Sequence, residues 1–332
     1  MPRLSVCVIA RNEAPRLPAL IDSLAPLETL PFEVELILVD SASTDETVEI
    51  AESAFAQVIV LEDSPHLSPA AGRYVGTERA RGDWILYLDG DMILCEEFIP
   101  TLADLCSRAP ATTGWVGQNR YIYDDGTTRE NAKGDSGEAT VVPHIGGAVL
   151  LPRTLVMEVG NWNPRLFSNE EIDLYSRIRG LGGCVRFRGI PMVRHNARTE
   201  GFLRRLVGLW IPGLSRGKMF YGPGQLVASR IQTGQLANLV RFFPYPFVLW
   251  GGLIGGAALW VLGRRSAAAA LATAAATWVA LARGPRLTVV YTGFLPQILF
   301  GLKQYAPDYS PRVQEVRQRH ALLTPSRSAH SP

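Results

Sequence analysis

Cysteine is scarce and scattered in this chain of 332 residues. Only Cys7, Cys95, Cys106 and Cys184 occur, with no CxxC pair and no spacing that suits a metal. That excludes a disulfide framework and predicts buried, reduced thiols, in keeping with a cytoplasmic setting. No GxGxxG follows the first apolar run, which argues against a dinucleotide-dependent oxidoreductase. That run, Leu4 to Ala10, is cut by Arg11-Asn12-Glu13, so a buried strand is expected there and not a secretory signal. Acids are missing altogether between Glu200 and Asp308. Residues 1–200 hold 18 Lys/Arg against 29 Asp/Glu, a net of −11, whereas residues 201–332 hold 15 against two, a net of +13. A basic half implies an anionic surface, either lipid or nucleic acid. Long uncharged runs in that same half favour lipid and leave no role for nucleic acid.

What is present points to a folded enzyme-sized chain. At 47% hydrophobic and 19% charged residues it is too apolar for disorder and oily for a purely soluble protein. Leu4–Ala10, Val34–Asp40, Gln57–Leu61 and Trp84–Asp89 are short runs, largely apolar on both faces, as strands of a covered parallel sheet are. Between the first two, Leu17, Leu20, Ile21 and Leu24 recur at helical spacing. Ser43 and Glu46 are spaced as a capping box that would open a second helix. The alternation predicts βαβ crossovers in a Rossmann-like, mostly parallel α/β sheet. Residues 120 to 140, polar and rich in Gly, Asp and Thr, read as a mobile loop. A strand resumes over 146–151, a helix over 170–181, and a further strand runs to Val193.

The character changes near residue 200. Residues 1–200 read as a catalytic domain and 201–242 as an interfacial segment. Residues 243–303 read as membrane helices and 304–332 as a loose polar tail. Phe202–Leu214 mixes Arg204 and Arg205 with leucines and Trp210 like a basic amphipathic helix. Phe243–Gly263 and Ser266–Ala282 carry no charge; the first is long enough to span a bilayer, and the second, rich in Ala, is at the short end. Gly251/Gly255 and Gly252/Gly256 supply small-xxx-small spacing for close packing. Leu287–Leu302 is interrupted by Pro296, as a re-entrant or interfacial segment would be. The balance of flanking Arg and Lys favours a cell-membrane protein with its first 200 residues cytoplasmic.

The acids of the first part carry the chemistry. Asp40 ends the second apolar run, and Asp89 and Asp91 end the fourth. In an open α/β sheet ligands bind beyond the carboxyl ends of the strands. Three acids gathered there repel one another unless a cation or a donor-rich ligand sits among them. A nucleotide diphosphate with Mg2+ or Mn2+ meets both needs.

Val6-Cys7-Val8-Ile9-Ala10-Arg11-Asn12-Glu13, Leu38-Val39-Asp40-Ser41-Ala42-Ser43-Thr44-Asp45 and Leu88-Asp89-Gly90-Asp91 resemble, in order, the motifs of family 2 glycosyltransferases with the GT-A fold. The third resembles that family's DxD motif, and the likeness runs over about residues 4–200. By that resemblance Asp40, Ala10, Asn12, Glu13 and Gly90 would line a nucleotide-sugar pocket. Asp89 would reach ribose or metal, and Asp91 would be the principal metal ligand. Ala71-Gly72-Arg73-Tyr74-Val75-Gly76 resembles the segment that sets an Arg near the nucleotide, here Arg73, although Tyr74 replaces the usual Asn. Gly160-Asn161-Trp162 resembles a donor-pocket segment, with Trp162 either a stacking wall for a sugar or a core residue. His195 falls where relatives place a metal- or diphosphate-contacting His.

Asn169-Glu170-Glu171-Ile172-Asp173-Leu174-Tyr175-Ser176-Arg177 resembles the acceptor-side motif of the same family. Glu171 would then be the catalytic base, with Glu170 as its alternate. A competing reading makes Ser168 and Glu171 a capping box. Asp173 and Arg177, four apart, are expected to pair on one helix face. The resemblance implies an inverting, metal-dependent transfer from a nucleotide-diphosphate sugar to a hydroxyl of a lipid or lipid-linked acceptor. Direct transfer to polyprenyl phosphate and a non-catalytic nucleotide-sugar-binding scaffold stay open, as does a homo-oligomer. A processive synthase is disfavoured, because no QxxRW precedes the apolar runs.

Overall fold

The computed structural model describes residues 2–123, 125–130, 140–142, 146–197, 210–211 and 218–318. They divide into two compact units. Residues up to 165, 170–199 and from 308 onward form the first, and residues 166–169 and 200–307 the second.

The first unit opens with β1 (Leu4–Ala10), α1 (Leu17–Leu24), β2 (Val34–Asp40), α2 (Thr47–Ala51), β3 (Gln57–Leu61), α3 (Pro69–Arg79) and β4 (Trp84–Asp89). It continues through β5 (Met92–Leu94), α4 (Ile99–Arg108), β6 (Thr113–Tyr123), β7 (Thr128–Glu130) and β8 (Thr140–Val141). Then come β9 (Val149–Pro152), α5 (Arg153–Glu158), α6 (Glu170–Gly180), β10 (Cys184–Ala197) and, after the second unit, β11 (Val313–Gln318). One sheet runs in the order β11-β3-β2-β1-β4-β9-β6-β10-β5, with β7 on β6 and β8 on β10. The four apolar runs are strands with the expected limits, and every residue of β1 and β2 is buried.

The sheet is mixed, and less parallel than the sequence suggests. β3-β2-β1-β4 and the β6–β10 pair are parallel. The short β9 and β5 run back against β4 and β10, and β11 runs back against β3. Short return strands need no long crossover helix, so antiparallel pairing is available to them.

Small residues bring α3 close to the sheet. A Cβ at Gly76 would lie 2.1 Å from Cys7 Sγ, and one at Gly72 would lie 2.8 Å from Ile9 Cγ2. That approach sinks Arg73, between those glycines, into the core, where its side chain is 2% exposed. The Ser43–Glu46 capping box does not form. The Ser43 hydroxyl instead donates to Asp40, and Asp45 Oδ1 accepts from Thr47 N at 3.1 Å at the start of α2. The stretch expected as a mobile loop begins as a hairpin, with β6 paired to β7 through Arg120↔Glu130. The C-terminal stretch expected to be loose supplies β11. Its mostly polar residues, none of them buried, suit a strand at the sheet edge.

The second unit holds α7 (Gly222–Gln232), α8 (Leu236–Phe242), α9 (Tyr245–Val261), α10 (Arg265–Arg283), α11 (Pro285–Thr292) and α12 (Phe294–Lys303). Helices α9 and α10 form a hairpin through the second of the two glycine pairs. A Cβ at Gly252 would lie 2.2 Å from Ala275 Cβ, and one at Gly256 would lie 3.0 Å from the Ala268 carbonyl. Gly224 and Gly301 let α7 and α12 meet backbone to backbone, with a Gly301 Cβ falling 2.7 Å from Gly224 Cα. Helix α10 is long and apolar enough to cross a membrane, and α8 with α9 passes the same test only as a pair bent by 101°. The run with Pro296 is broken at Gly293 into α11 and α12. Of the expected basic amphipathic segment Phe202–Leu214, only the exposed Trp210 and Ile211 fall among the described residues.

Candidate functional site

Parallel pairing in register sets the site. Ala10 is opposite Asp40 and Ile9 is opposite Asp89, so the carboxyl ends of β1, β2 and β4 share one edge. A cleft of about 280 Å³ opens there. Ala10, Glu13, Asp89, Gly90, Asp91 and His195 line it, all six singled out from sequence. Gly90 is confined, since a Cβ on it would lie 3.1 Å from both Ala10 Cβ and Glu13 Cγ. Arg11, Ser41 and Ser68 also face the cleft; being single polar residues in loops, they carry no sequence signal of their own.

Asp40 and Asn12 do not line the cleft. Asp40 is fully buried and accepts from Ser43 N at 2.8 Å and from the Ser43 hydroxyl. Burial raises its pKa while the Ser43 bonds pull the other way. Its carboxylate builds the turn after β2, and Ser41 takes the cleft position in its place. Asn12 is exposed and left-handed at φ 56°. It accepts from Thr44 N and donates its own N–H to Ser43 Oγ, both at 2.8 Å, bracing the loops after β1 and β2.

Asp91 and His195 face each other, with His195 Nε2 3.1 Å from Asp91 Oδ2. Burial disfavours the imidazolium, but the Asp91 hydrogen bond and charge, with Asp89 and Glu13 beyond, outweigh it, so the His195 pKa is raised. His195 Nδ1 is buried and has no hydrogen-bond partner among the described residues. The Tyr121 ring packs 5.2 Å from the imidazole. No group of three acidic, His or Cys side chains preformed for a metal exists among the described residues. Asp91 and His195 nevertheless suit a cation of the Mg2+ or Mn2+ class, which takes one or two protein ligands and completes its shell with water and phosphate oxygens.

Arg73, expected beside the nucleotide, does not line the cleft and is buried. Its Nη2 donates to Asp89 Oδ1 and its Nη1 to Glu170 Oε1, both at 2.7 Å, and Glu171 Oε1 lies 4.0 Å away. Small residues on α3 and a buried Glu at the start of α6 make this geometry, and neither motif reveals it alone. Trp162 lies beneath it, 1% exposed, with Arg73 Cζ 5.2 Å from its ring centre and Tyr87 edge-on at 5.2 Å. It is a core residue with no face open to a sugar, which corrects the stacking-wall reading.

The two glutamates of α6 have different surroundings. Glu170 is held by Arg73 with 7% of its side chain exposed, too enclosed to meet an acceptor. Glu171 is 15% exposed, and its Oε1 accepts from Gly147 N at 3.3 Å. A Cβ at Gly147 would lie 3.4 Å from Asp89 Oδ2, so this glycine pair separates the cleft aspartate from Glu171. Asn119, fully buried on β6, fixes the pair by donating to the Gly146 carbonyl at 3.1 Å. The polar run Gln118-Asn119-Arg120-Tyr121 inside an otherwise apolar strand is the signal that could have identified it. Asp173 and Arg177 pair at 2.6 Å as expected.

Comparison with known proteins agrees with this geometry. The model of Glycosyl transferase family 2 matches residues 5–168. An uncharacterized glycosyltransferase of Rickettsia felis is 37% identical over 97 residues, 29% of this chain and 31% of that protein. The pre-mycofactocin glycosyltransferase of Mycobacterium tuberculosis is 25% identical over 214 residues, 59% of this chain and 43% of that protein. The matched segments therefore span less than half the length of these relatives. Among solved structures, the mannosyltransferase PcManGT of Pyrobaculum calidifontis, in complex with GDP-Man and Mn2+, aligns at a TM-score of 0.52 and 17% identity, covering 91% of this chain and 87% of that one. Residues 1–349 of TarS from S. aureus align at 0.51 and 14% identity, covering 92% and 90%; at such identities the likeness is one of fold. The family match takes in all of the cleft lining but His195, so residues 5–168 are a family 2 glycosyltransferase segment, and the fold around them is GT-A.

Proposed function

We propose that this chain is an inverting glycosyltransferase that takes a sugar from a nucleotide-diphosphate donor to a hydroxyl acceptor at the cytoplasmic face of a membrane. The observation that carries the reading is the cleft at the ends of β1 and β4, where Asp89, Asp91 and His195 stand across Gly146-Gly147 from Glu171. The donor nucleotide lies in the cleft, its diphosphate towards Asp91 and His195. Bound there by Asp91 and His195, with Asp89 adjoining, Mg2+ or Mn2+ would offset the charge of the leaving diphosphate. PcManGT, with GDP-Man and Mn2+, is a precedent for such a pair on this fold.

Glu171 takes the proton of the acceptor hydroxyl as its oxygen attacks the anomeric carbon. The bond from that carbon to the diphosphate oxygen breaks, and its electron pair leaves with the nucleoside diphosphate. Attack from the Glu171 side, opposite the diphosphate, inverts the anomeric centre. A phosphate acceptor is already ionised and needs no base, so Glu171 favours a hydroxyl over polyprenyl phosphate.

The second unit supports a membrane location and a lipid or lipid-linked acceptor. Trp260, Val261, Leu262 and Leu281 are 57–85% exposed on the hairpin α9–α10. Apolar surface of that extent fits lipid better than water. A transfer assay on purified membranes, with a panel of nucleotide sugars and with or without EDTA, tests the function. Release of one nucleoside diphosphate, lost with EDTA and in Asp91→Ala and Glu171→Ala, is expected. Normal turnover by those variants would overturn the assignment.

A further inference from the structure

Beyond covering the edge of β3, the last described segment reaches the wall of the cleft. Strand β11 pairs with β3 from Val313 to Gln318, and Arg317 bonds Glu52 at 2.6 Å. Before that strand, the Arg312 carbonyl accepts from Glu62 N at 2.9 Å. The Tyr309 ring lies 5.2 Å from the His66 ring, tilted by 43°. The last two contacts fall on the irregular connection that leaves β3, and its continuation, Leu67, Ser68 and Pro69, lines the cleft.

That connection is also tied from its other side. Asp63 pairs with Arg11, a cleft residue, at 3.5 Å. Ser68 caps α3 by accepting from Ala71 N at 3.2 Å, and α3 carries Arg73. A stretch without ladder hydrogen bonds opens at little free energy unless other groups pin it. Here Tyr309 and Arg312 pin its rear while Arg11 and the α3 cap pin its front.

We propose that residues 309–318 act as a positioning strap for the donor cleft. Packed on His66, Tyr309 fixes the wall formed by Leu67, Ser68 and Pro69 and so sets the affinity for the nucleotide. The inference rests on the reading of that cleft as the donor site. Edge covering alone would be a different role, since β11 can protect β3 without any contact from Tyr309.

The test uses the full chain with UDP and with GDP, each titrated in the presence of Mn2+. For whichever nucleotide the unsubstituted chain binds, Tyr309→Ala should weaken the dissociation constant about three- to ten-fold, the range expected for losing one half-buried ring contact. Tyr309→Phe, which keeps the ring, should stay within about two-fold. Glu52→Gln cuts the far ion pair of the strap and should leave the affinity unchanged. In turnover, Tyr309→Ala should raise the donor KM while kcat at saturating donor holds, a split that general loosening of the fold would not give. Equal affinity in Tyr309→Ala and the unsubstituted chain would overturn the strap, as would Tyr309→Phe binding as weakly as Tyr309→Ala. Failure of the unsubstituted chain to bind either nucleotide would instead remove the donor-cleft reading itself.

Discussion

Arg73 and Glu170, 97 positions apart, meet at 2.7 Å inside the first unit. The same guanidinium reaches Asp89 at 2.7 Å. One buried cation thus joins a cleft aspartate on β4 to the start of α6, which carries Glu171. A buried ion pair adds little over an apolar replacement, but removing one partner strands the others and is costly. Arg73→Ala should therefore destabilise the fold by about 3–5 kcal/mol, read from the urea midpoint. Arg73→Lys keeps the charge but lacks the planar fork that serves two carboxylates at once. It should lose activity out of proportion to its stability. Full activity in the Lys variant would show that the two-pronged contact has no bearing on catalysis.

The pH dependence of stability follows from Glu170. Burial first, then repulsion by Glu171, raises its pKa from the ordinary 4.5 against the pull of Arg73. A carboxyl with a raised folded pKa favours the fold while protonated. Its contribution is complete below 4.5 and is lost as pH climbs through the raised value. Glu170→Gln keeps an acceptor for Arg73 but cannot ionise. The melting temperature of the variant relative to the unsubstituted chain should rise steadily with pH across that window, followed by thermal scans. A difference that stays flat with pH would contradict the assignment.

Glu171 and Glu170 should separate in kinetics. Glu171→Gln removes the proposed base and should lower kcat about 10²- to 10⁴-fold with donor KM little changed. Glu170→Gln should act mainly through stability and positioning, with a smaller loss of kcat. Steady-state rates for both variants check this. The reverse ranking would make Glu170 the base.

The legible part of the molecule is the part where one residue type decides the outcome. Largely apolar runs ending in Asp40 and Asp89 mark β2 and β4 and their shared edge, because only a sheet covered on both faces wants such runs. Asp91 with His195 was legible only through the resemblance, since their strands pair after a long excursion of chain. Three features escaped for stated physical reasons. Arg73 reads as a residue beside the nucleotide, because Glu170, the partner that lets it sink into the core, lies 97 positions away and no local pattern joins the two. Asp40 reads as a ligand, because its competitor Ser43 is a common turn residue. Strand β11 reads as tail, because an edge strand of mostly polar residues carries no apolar run.

The proposed membrane attachment sets how the chain should fractionate. With Trp260, Val261, Leu262 and Leu281 exposed on one hairpin, the full chain should stay in the membrane pellet after alkaline carbonate and come out only with detergent. Recovery in the carbonate supernatant would contradict attachment through the hairpin.

The central claim is a nucleotide-diphosphate and cation cleft at the ends of β1, β2 and β4. Calorimetric titration of the purified full chain with UDP and with GDP, with and without Mn2+, tests it most directly. One nucleotide should bind only when Mn2+ is present, and Asp91→Asn should abolish that metal-dependent binding while the melting temperature holds. Binding that is equally tight without metal, and unchanged in Asp91→Asn, would contradict the account.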